Sequence, residues 1–207
     1  MILCIDTITE HAGITLVDSK KSYGYQPFAG GKIAESILKT IDKVLRRARI
    51  QPTKLTGVLV IKGPGSFTSL RVGLAVANQF AHQLKIPIIG LRTDEWWLSR
   101  TDERPVMYLQ SMNREEVYAA GAGAPTIEKL YQLYNLYKSY NFLGQLTDEH
   151  RAKLPPNWRE LANLKSPADT WVAAAQVMAD KPVAHKLYAL VEPFYGKEPT
   201  ITKSKKQ

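Results

Sequence analysis

The hydrophobic pattern of the chain changes period several times, and the changes mark its elements. Apolar runs at 1–6, 12–17 and 21–26, separated by short polar turns, predict three strands in an antiparallel meander. Gly30-Gly31 then interrupts the chain, and the period becomes helical. Ile33, Ile37, Ile41, Val44 and Ala48 form one apolar stripe, and Ala34, Leu38 and Leu45 form a second. Arg46, Arg47 and Arg49 place positive charge at the end of this helix, and Pro52 stops it. Its apolar face is broad enough to predict a packing partner besides a sheet.

A strand at 58–61 leads through Gly63-Pro64-Gly65-Ser66-Phe67-Thr68 into a long apolar helix carrying Leu70, Val72, Leu74, Val76, Phe80 and Leu84. Either Ser66 or Thr68 can cap that helix. Gly73, Ala77 and Ala81 recur every fourth residue and leave a smooth stripe along it. A strand at 86–91 follows, then a short helix at 93–100 in which Trp96 and Trp97 are expected core anchors. Arg104-Pro105 starts a second unit. It reads as strands at 106–110 and 116–120, a helix at 126–140 burying Ile127, Leu130, Tyr131, Tyr134 and Tyr137, and a strand at 140–143 ending at Gly144. Residues 146–164 read as loop with short helical pieces, 169–179 as a helix and 191–195 as an extended ending. The expected organisation is a lobe at 1–103, a shortened lobe at 104–196 and a basic flexible tail at 197–207.

Composition narrows the function classes. At 207 residues with 44% hydrophobic and 23% charged residues, the chain can bury a core. No apolar run reaches the roughly 18 residues that span a bilayer, and no basic region precedes the apolar start, so a cytoplasmic location is expected. One cysteine, Cys4, excludes an internal disulfide framework and reads as a buried apolar residue. The net charge of +9 favours encounter with nucleic acid or another acidic partner, or it describes a basic surface and tail.

Two stretches have residue types that can carry chemistry. Residues 63–73 join a strand to a helix through glycines, a place suited to phosphate. Yet Pro64 removes a donor, no lysine follows, and the glycine spacing is not that of a dinucleotide fingerprint. In the first hairpin, Asp6, Thr7 and Thr9 can address magnesium and phosphate, or they can satisfy the turn's own backbone. The histidines (His11, His82, His150 and His185) are scattered, and Ser66 has no base nearby in sequence, so no metal site or nucleophile is expected.

At these residues the chain resembles a known family. Residues 2–9, ILCIDTIT, are similar to an "ILAIDTAT" opening, and residues 63–73, GPGSFTSLRVG, to the "GPGSFTGLRIG" signature of TsaB. The resemblance is strong over roughly the first 95 residues and thin afterwards. It implies an α/β fold of the actin/hexokinase/Hsp70-like (ASKHA) type, two lobes with mixed sheets flanked by helices, the second reduced. It also implies a non-catalytic scaffold in tRNA threonylcarbamoyladenosine (t6A) synthesis, with no cofactor or metal of its own. The implied partners are a TsaD-like catalytic subunit and a TsaE-like ATPase, with a homodimer when the partner is absent and only indirect or weak contact with tRNA. The implied interface is the pair of first-lobe helices, with Ile33, Ile37, Ile41, Val44, Leu70, Gly73, Leu74, Ala77 and Ala81, and the motif residues Gly63, Pro64, Gly65, Ser66, Phe67, Thr68 and Arg71 shape its entry. Asp6, Thr7 and Thr9 would then be a vestigial nucleotide hairpin. Departures include Ser69 in place of the usual glycine and Ser111 to Tyr118 in place of "DAR.GEVY", which bear on second-lobe functions. Two rival readings are an ATP-dependent enzyme of the same fold, which needs glycines such as Gly121, Gly123 or Gly144 at an adenosine site, and an accessory tRNA-binding module.

Overall fold

The computed structural model describes residues 1–28, 32–137, 139–180 and 190–196. The Gly30-Gly31 interruption, His185 and the basic tail lie outside the described residues. The first half runs β1 (Ile2–Asp6), β2 (Gly13–Val17), β3 (Ser22–Pro27), α1 (Ile33–Ala48), β4 (Gly57–Ile61), α2 (Phe67–Leu84), β5 (Ile88–Leu91) and α3 (Thr93–Leu98). Its sheet has the order β3-β2-β1-β4-β5. The meander is antiparallel, and β1, β4 and β5 are parallel. Both faces of β1 and β4 are covered, which is why their sequences are continuous apolar runs and not alternating ones.

The second half runs β6 (Val106–Ser111), β7 (Glu116–Ala120), β8 (Thr126–Lys129), α4 (Leu130–Leu136), β9 (Asn141–Gln145), α5 (Asp148–Arg151), β10 (Arg159–Glu160) and α6 (Pro167–Asp180). Its sheet order, β10-β9-β6-β7-β8, is that of the first sheet taken from the other edge, with the same strand directions. One βββαβαβ unit is therefore built twice. The second copy is reduced: α4 and α5 have 7 and 4 residues where α1 and α2 have 16 and 18.

The layers follow from which faces are apolar. α1 and α2 cover the outer face of the first sheet, where Leu3, Ile5, Val58 and Val60 meet Ile37, Ile41, Leu70 and Leu74. α4 and Trp158 cover the outer face of the second, on Met107, Leu109 and Phe142. Between the sheets, Cys4, Leu59 and Ile61 meet Tyr108, Tyr118 and Leu143 through Trp96 and Trp97 of α3 and Trp171, Ala175 and Met178 of α6. α3 follows the first sheet but packs on β6 and β9, and α6 follows the second but packs on β2 and β3. Each half thus lends its last helix to the other.

Several elements differ from the sequence reading. The segment expected as a helix at 126–140 begins as β8, because Thr126 to Lys129 pair with β7 across the glycine-rich turn. Its Ile127 packs into the central core, and only Leu130 and Leu133 of α4 are buried while Tyr131 is 58% exposed. β9 does not stop at Gly144 but runs through it at φ 142°, where a side chain would place Cβ 2.0 Å from the Leu109 carbonyl oxygen. The loop expected at 146–164 contains β10, which adds a fifth strand parallel to β9. α2 starts at Phe67 with Ser66 at the cap position but no side-chain bond to the helix, and Thr68 lies inside the first turn. α6 starts at Pro167, where a missing N–H costs nothing.

Trp96 and Trp97 are 1% and 2% exposed, as expected of core anchors. Replacing Trp96 by alanine should cost about 3–5 kcal/mol. Urea unfolding should stay a single transition, since the lost contacts belong to both halves.

Candidate functional site

The motif at 63–73 turns the chain from β4 into α2, and its atoms are taken up by neighbours inside the fold. The Lys62 carbonyl accepts the Phe194 N–H at 2.6 Å, and the Gly63 carbonyl accepts the Thr93 N–H at 2.8 Å. The Pro64 carbonyl, after a cis peptide bond, accepts the Thr93 hydroxyl at 2.7 Å. Gly63 has φ 108°, and a Cβ there would lie 2.1 Å from the Phe194 carbonyl oxygen. Side chains at Gly65 and Gly73 would run into Ile8 and Thr7 respectively, the latter at 2.4 Å from Oγ1. The loop is a junction of the first hairpin, α3 and residues 190–196. Ser69, the departure from the usual glycine, is accommodated by a 3.2 Å bond from the Ser66 hydroxyl.

The first hairpin is closed on itself. Asp6 is 1% exposed; its Oδ1 accepts the Ile8 and Thr9 N–H groups, each at 3.0 Å, and its Oδ2 accepts the Thr9 hydroxyl. Burial raises the Asp6 carboxyl above its ordinary value, against the lowering effect of those hydrogen bonds. Thr7 Oγ1 is buried against Gly73 with no hydrogen-bond partner among the described residues. Asp6 and Thr9 are bonded within the turn, and Thr7 packs on Gly73 of α2. Further along, the His11 Nε2 sits 3.1 Å from an Arg100 guanidinium nitrogen, and that guanidinium lies 4.6 Å from the Trp97 ring centre. Burial, then the Arg100 charge, lowers the His11 pKa. A buried carboxylate, Asp94, takes 3.0 Å and 2.9 Å contacts from Tyr118 and Arg92 and ties α3 to β7. Among the described residues no group of three or more His, Cys, Asp or Glu is placed to hold a metal ion.

The interface residues named from the resemblance are mostly buried within the chain itself. Ile37, Ile41, Val44, Leu70, Gly73, Leu74, Ala77 and Ala81 are buried against the first sheet, and Ile33 is half-buried. The stripe of Gly73, Ala77 and Ala81 brings α2 close to β1 and Thr7, so it is used within the protein itself. The outer sides of the same helices carry exposed Leu38, Ala34 and Ala75, with half-buried Val72, Val76, Phe80 and Leu84 beside them. At the start of α2, Phe67 is 53% exposed, stacks on Tyr195 at 5.2 Å and lies 3.8 Å under the Arg71 guanidinium, whose Nε donates to the Tyr195 hydroxyl at 3.1 Å. Thr68 and Arg71 face solvent. Sequence reasoning missed Asn78, whose side-chain amide both donates to and accepts from the backbone of Val191 at 3.0 and 2.9 Å. It also missed the His11–Arg100 and Asp94–Tyr118 pairs; partners so far apart in the chain leave no local signal.

A duplicated βββαβαβ unit with mixed sheets and a shared helical layer is an actin/hexokinase/Hsp70-like arrangement. A solved structure described as an uncharacterized protein with similarity to peptidase YEAZ, from Pseudomonas aeruginosa, matches it with a TM-score of 0.73 at 17% identity, covering 95% of this chain and 99% of that one. The family model "TsaD: tRNA N6-adenosine threonylcarbamoyltransferase" matches residues 23–133, more than half of the chain. The chain belongs to that family, in its TsaB group. It is 36% identical over 93 residues to the tRNA threonylcarbamoyladenosine biosynthesis protein TsaB of Buchnera aphidicola subsp. Schizaphis graminum, over 45% of this chain and 44% of that protein. It is 41% identical over 122 residues to a tRNA N6-adenosine threonylcarbamoyltransferase of Geobacter metallireducens, over 58% of this chain and 33% of that protein. The chain thus spans less than half the length of these curated relatives. No helix among the described residues is long and apolar enough to cross a membrane.

Gly73→Ala should destabilise the protein by about 1–3 kcal/mol through overpacking on Thr7. Adding Thr7→Ala should recover most of that loss in a denaturation double-mutant cycle. For Asp6 the folded pKa lies above 3.8, so the folded state holds its proton more tightly than the unfolded chain. The wild type should therefore lose stability relative to Asp6→Asn as pH rises from 3.8 through the raised value, measured as the difference between their Tm–pH curves.

Proposed function

We propose that the chain is a non-catalytic scaffold in tRNA threonylcarbamoyladenosine synthesis, binding and activating a TsaD-like catalytic subunit through the outer sides of α1 and α2. The pathway reading is supported by its similarity to tRNA threonylcarbamoyladenosine biosynthesis proteins. The observation that carries the binding reading is apolar surface on those sides. Leu38 is 61% exposed, and the half-buried row Val72, Val76, Phe80 and Leu84 borders the buried face of α2. Helices that serve only to cover a sheet have little use for it. The scaffold reading is supported by the first hairpin, whose carboxylate is already bound within its own turn. Without its partner, the same surface would pair two copies of the chain. A TsaE-like ATPase and weak or indirect tRNA contact complete the proposal, and the work would be done in the cytoplasm.

The test is co-expression with the TsaD-like protein of the same genome. Leu38→Glu combined with Ala75→Arg changes exposed positions, so Tm should move little. Affinity for the partner should fall at least about a hundredfold, roughly 2.7 kcal/mol. A complex that survives both substitutions at unchanged affinity overturns the assignment of this surface.

A further inference from the structure

The charge of the chain is concentrated on the two helices that also carry its outward apolar side chains. With their capping residues, α1 and α2 (32–49 and 66–85) hold eight Lys or Arg and only two carboxylates, Glu35 and Asp42, a net +6. All ten residues are exposed. The rest of the chain accounts for the remaining +3 of its +9.

Part of that charge has a use within the chain. Arg46, Arg47, Arg49 and Lys85 stand at the C-terminal ends of the helices, where they complement the dipoles. Lys32 is paired with Glu35 at 3.6 Å and Arg46 with Asp42 at 2.7 Å, so both carboxylates already have a cation. Arg71 holds Tyr195. Lys39 and Lys43 have no such use. They lie in the middle of α1 and have no ion pair or hydrogen bond among the described residues. They are also one turn apart, an arrangement of like charges that weakens a helix. Beside them, Leu38 and Ala34 are exposed, and Val72, Val76 and Phe80 of α2 are half-buried. The face is therefore apolar positions set among unanswered cations.

We propose that α1 and α2 dock a protein surface in which Asp and Glu outnumber Lys and Arg around an apolar seam, and that charge selects this partner over a second copy of the chain. The inference rests on the reading of this face as the partner surface, and adds the chemistry the partner must present. Opposite charge speeds encounter and like charge slows it. Two copies face to face would bring +6 against +6. Salt screens both effects, over about 10 Å at 0.1 M. It should therefore weaken the pair with the acidic partner and strengthen the pair of identical chains. RNA phosphates would answer the cations but leave the apolar positions without a partner, and Glu35 and Asp42 would repel them.

The experiment measures association and dissociation rates of the full chain with the TsaD-like protein of the same genome, and self-association by sedimentation, at about 50 and about 500 mM NaCl. The Kd of the mixed complex should rise at least about fivefold with salt, through its association rate, while that of the self-pair falls at least about threefold. Lys39→Glu with Lys43→Glu changes two exposed positions, so the fold should hold. At low salt it should slow association with the partner about tenfold, leave dissociation nearly unchanged, and tighten self-association. Lys39→Gln with Lys43→Gln should move each quantity the same way by less. A complex whose rates ignore salt and both variants overturns the charge inference and leaves the partner reading standing. If no complex forms at either salt, the partner reading fails; self-association that is absent or indifferent to salt then overturns the charge inference as well. Binding of tRNA that is lost in the Lys→Glu pair, with the protein complex unchanged, assigns the cations to RNA and also overturns it.

Discussion

The structure depends on the aromatic layer between the two sheets. Neither sheet could leave its inner face open, because Cys4, Leu59 and Ile61 on one and Tyr108, Tyr118 and Leu143 on the other are all apolar and at most 1% exposed. The exchange of α3 and α6 solves this for both halves with one set of contacts. Trp96 meets Trp97 edge-on at 5.7 Å and Trp171 at 5.8 Å, while Trp97 reaches Tyr108 at 6.1 Å. With the helices exchanged, each half completes the core of the other, and hinge motion between them would have to break this layer. A lobe drawn at residues 1–103 would take α3 away from the sheet on which it packs.

The signature at 63–73 follows from the same constraint. Gly73 is small because Thr7 is there, Gly65 because Ile8 is there, and Gly63 because residues 190–196 cross it. Thr93, the first residue of α3, donates its N–H to the Gly63 carbonyl and its hydroxyl to the Pro64 carbonyl. The motif thereby sets where α3 starts, and so where Trp96 and Trp97 stand. The glycines of the signature mark where three elements pack at close distance. Among the motif side chains that turn outward, Phe67 and Arg71 hold Tyr195 beside the start of α2.

What was legible in the sequence was what depends on neighbours along the chain. The meander, α1, α2 and the buried tryptophans follow from periodicity and turn residues alone. β8 was not legible, because Ile127, Leu130, Tyr131 and Tyr134 fall at helical spacing while pairing with β7 decides the state of the first four residues. Pairing of this kind is a tertiary decision that local propensity cannot anticipate. β10 is too short to show a pattern. For the candidate site, the sequence singles out α1 and α2, but not which of their sides the fold buries. Apolar residues cover so much of α2 that only the positions of β1 and Thr7 decide which stripe is inside. Asn78 and Asp94 act through partners distant in sequence, so their roles exist only in the folded chain.

The two copies of the unit diverge where their outer helices differ. In the first, α1 and α2 are long enough to bury the sheet and still have apolar side chains to spare, and the residues of the β1–β2 turn are consumed in holding α2. In the second, α5 has a single turn in the place of α2, and the corresponding β6–β7 turn holds it through Ser111 and His150. The same topological junction therefore closes on itself in one half and leaves an imidazole nitrogen and an arginine unsatisfied in the other. Shortening a helix is expected to expose its sheet, yet Leu130, Leu133 and Trp158 keep the apolar core of that face covered. The cavity beside α4 and α5, lined by Arg114, Lys129, Tyr131 and Lys153, falls instead over polar and aromatic side chains, which makes it compatible with stability.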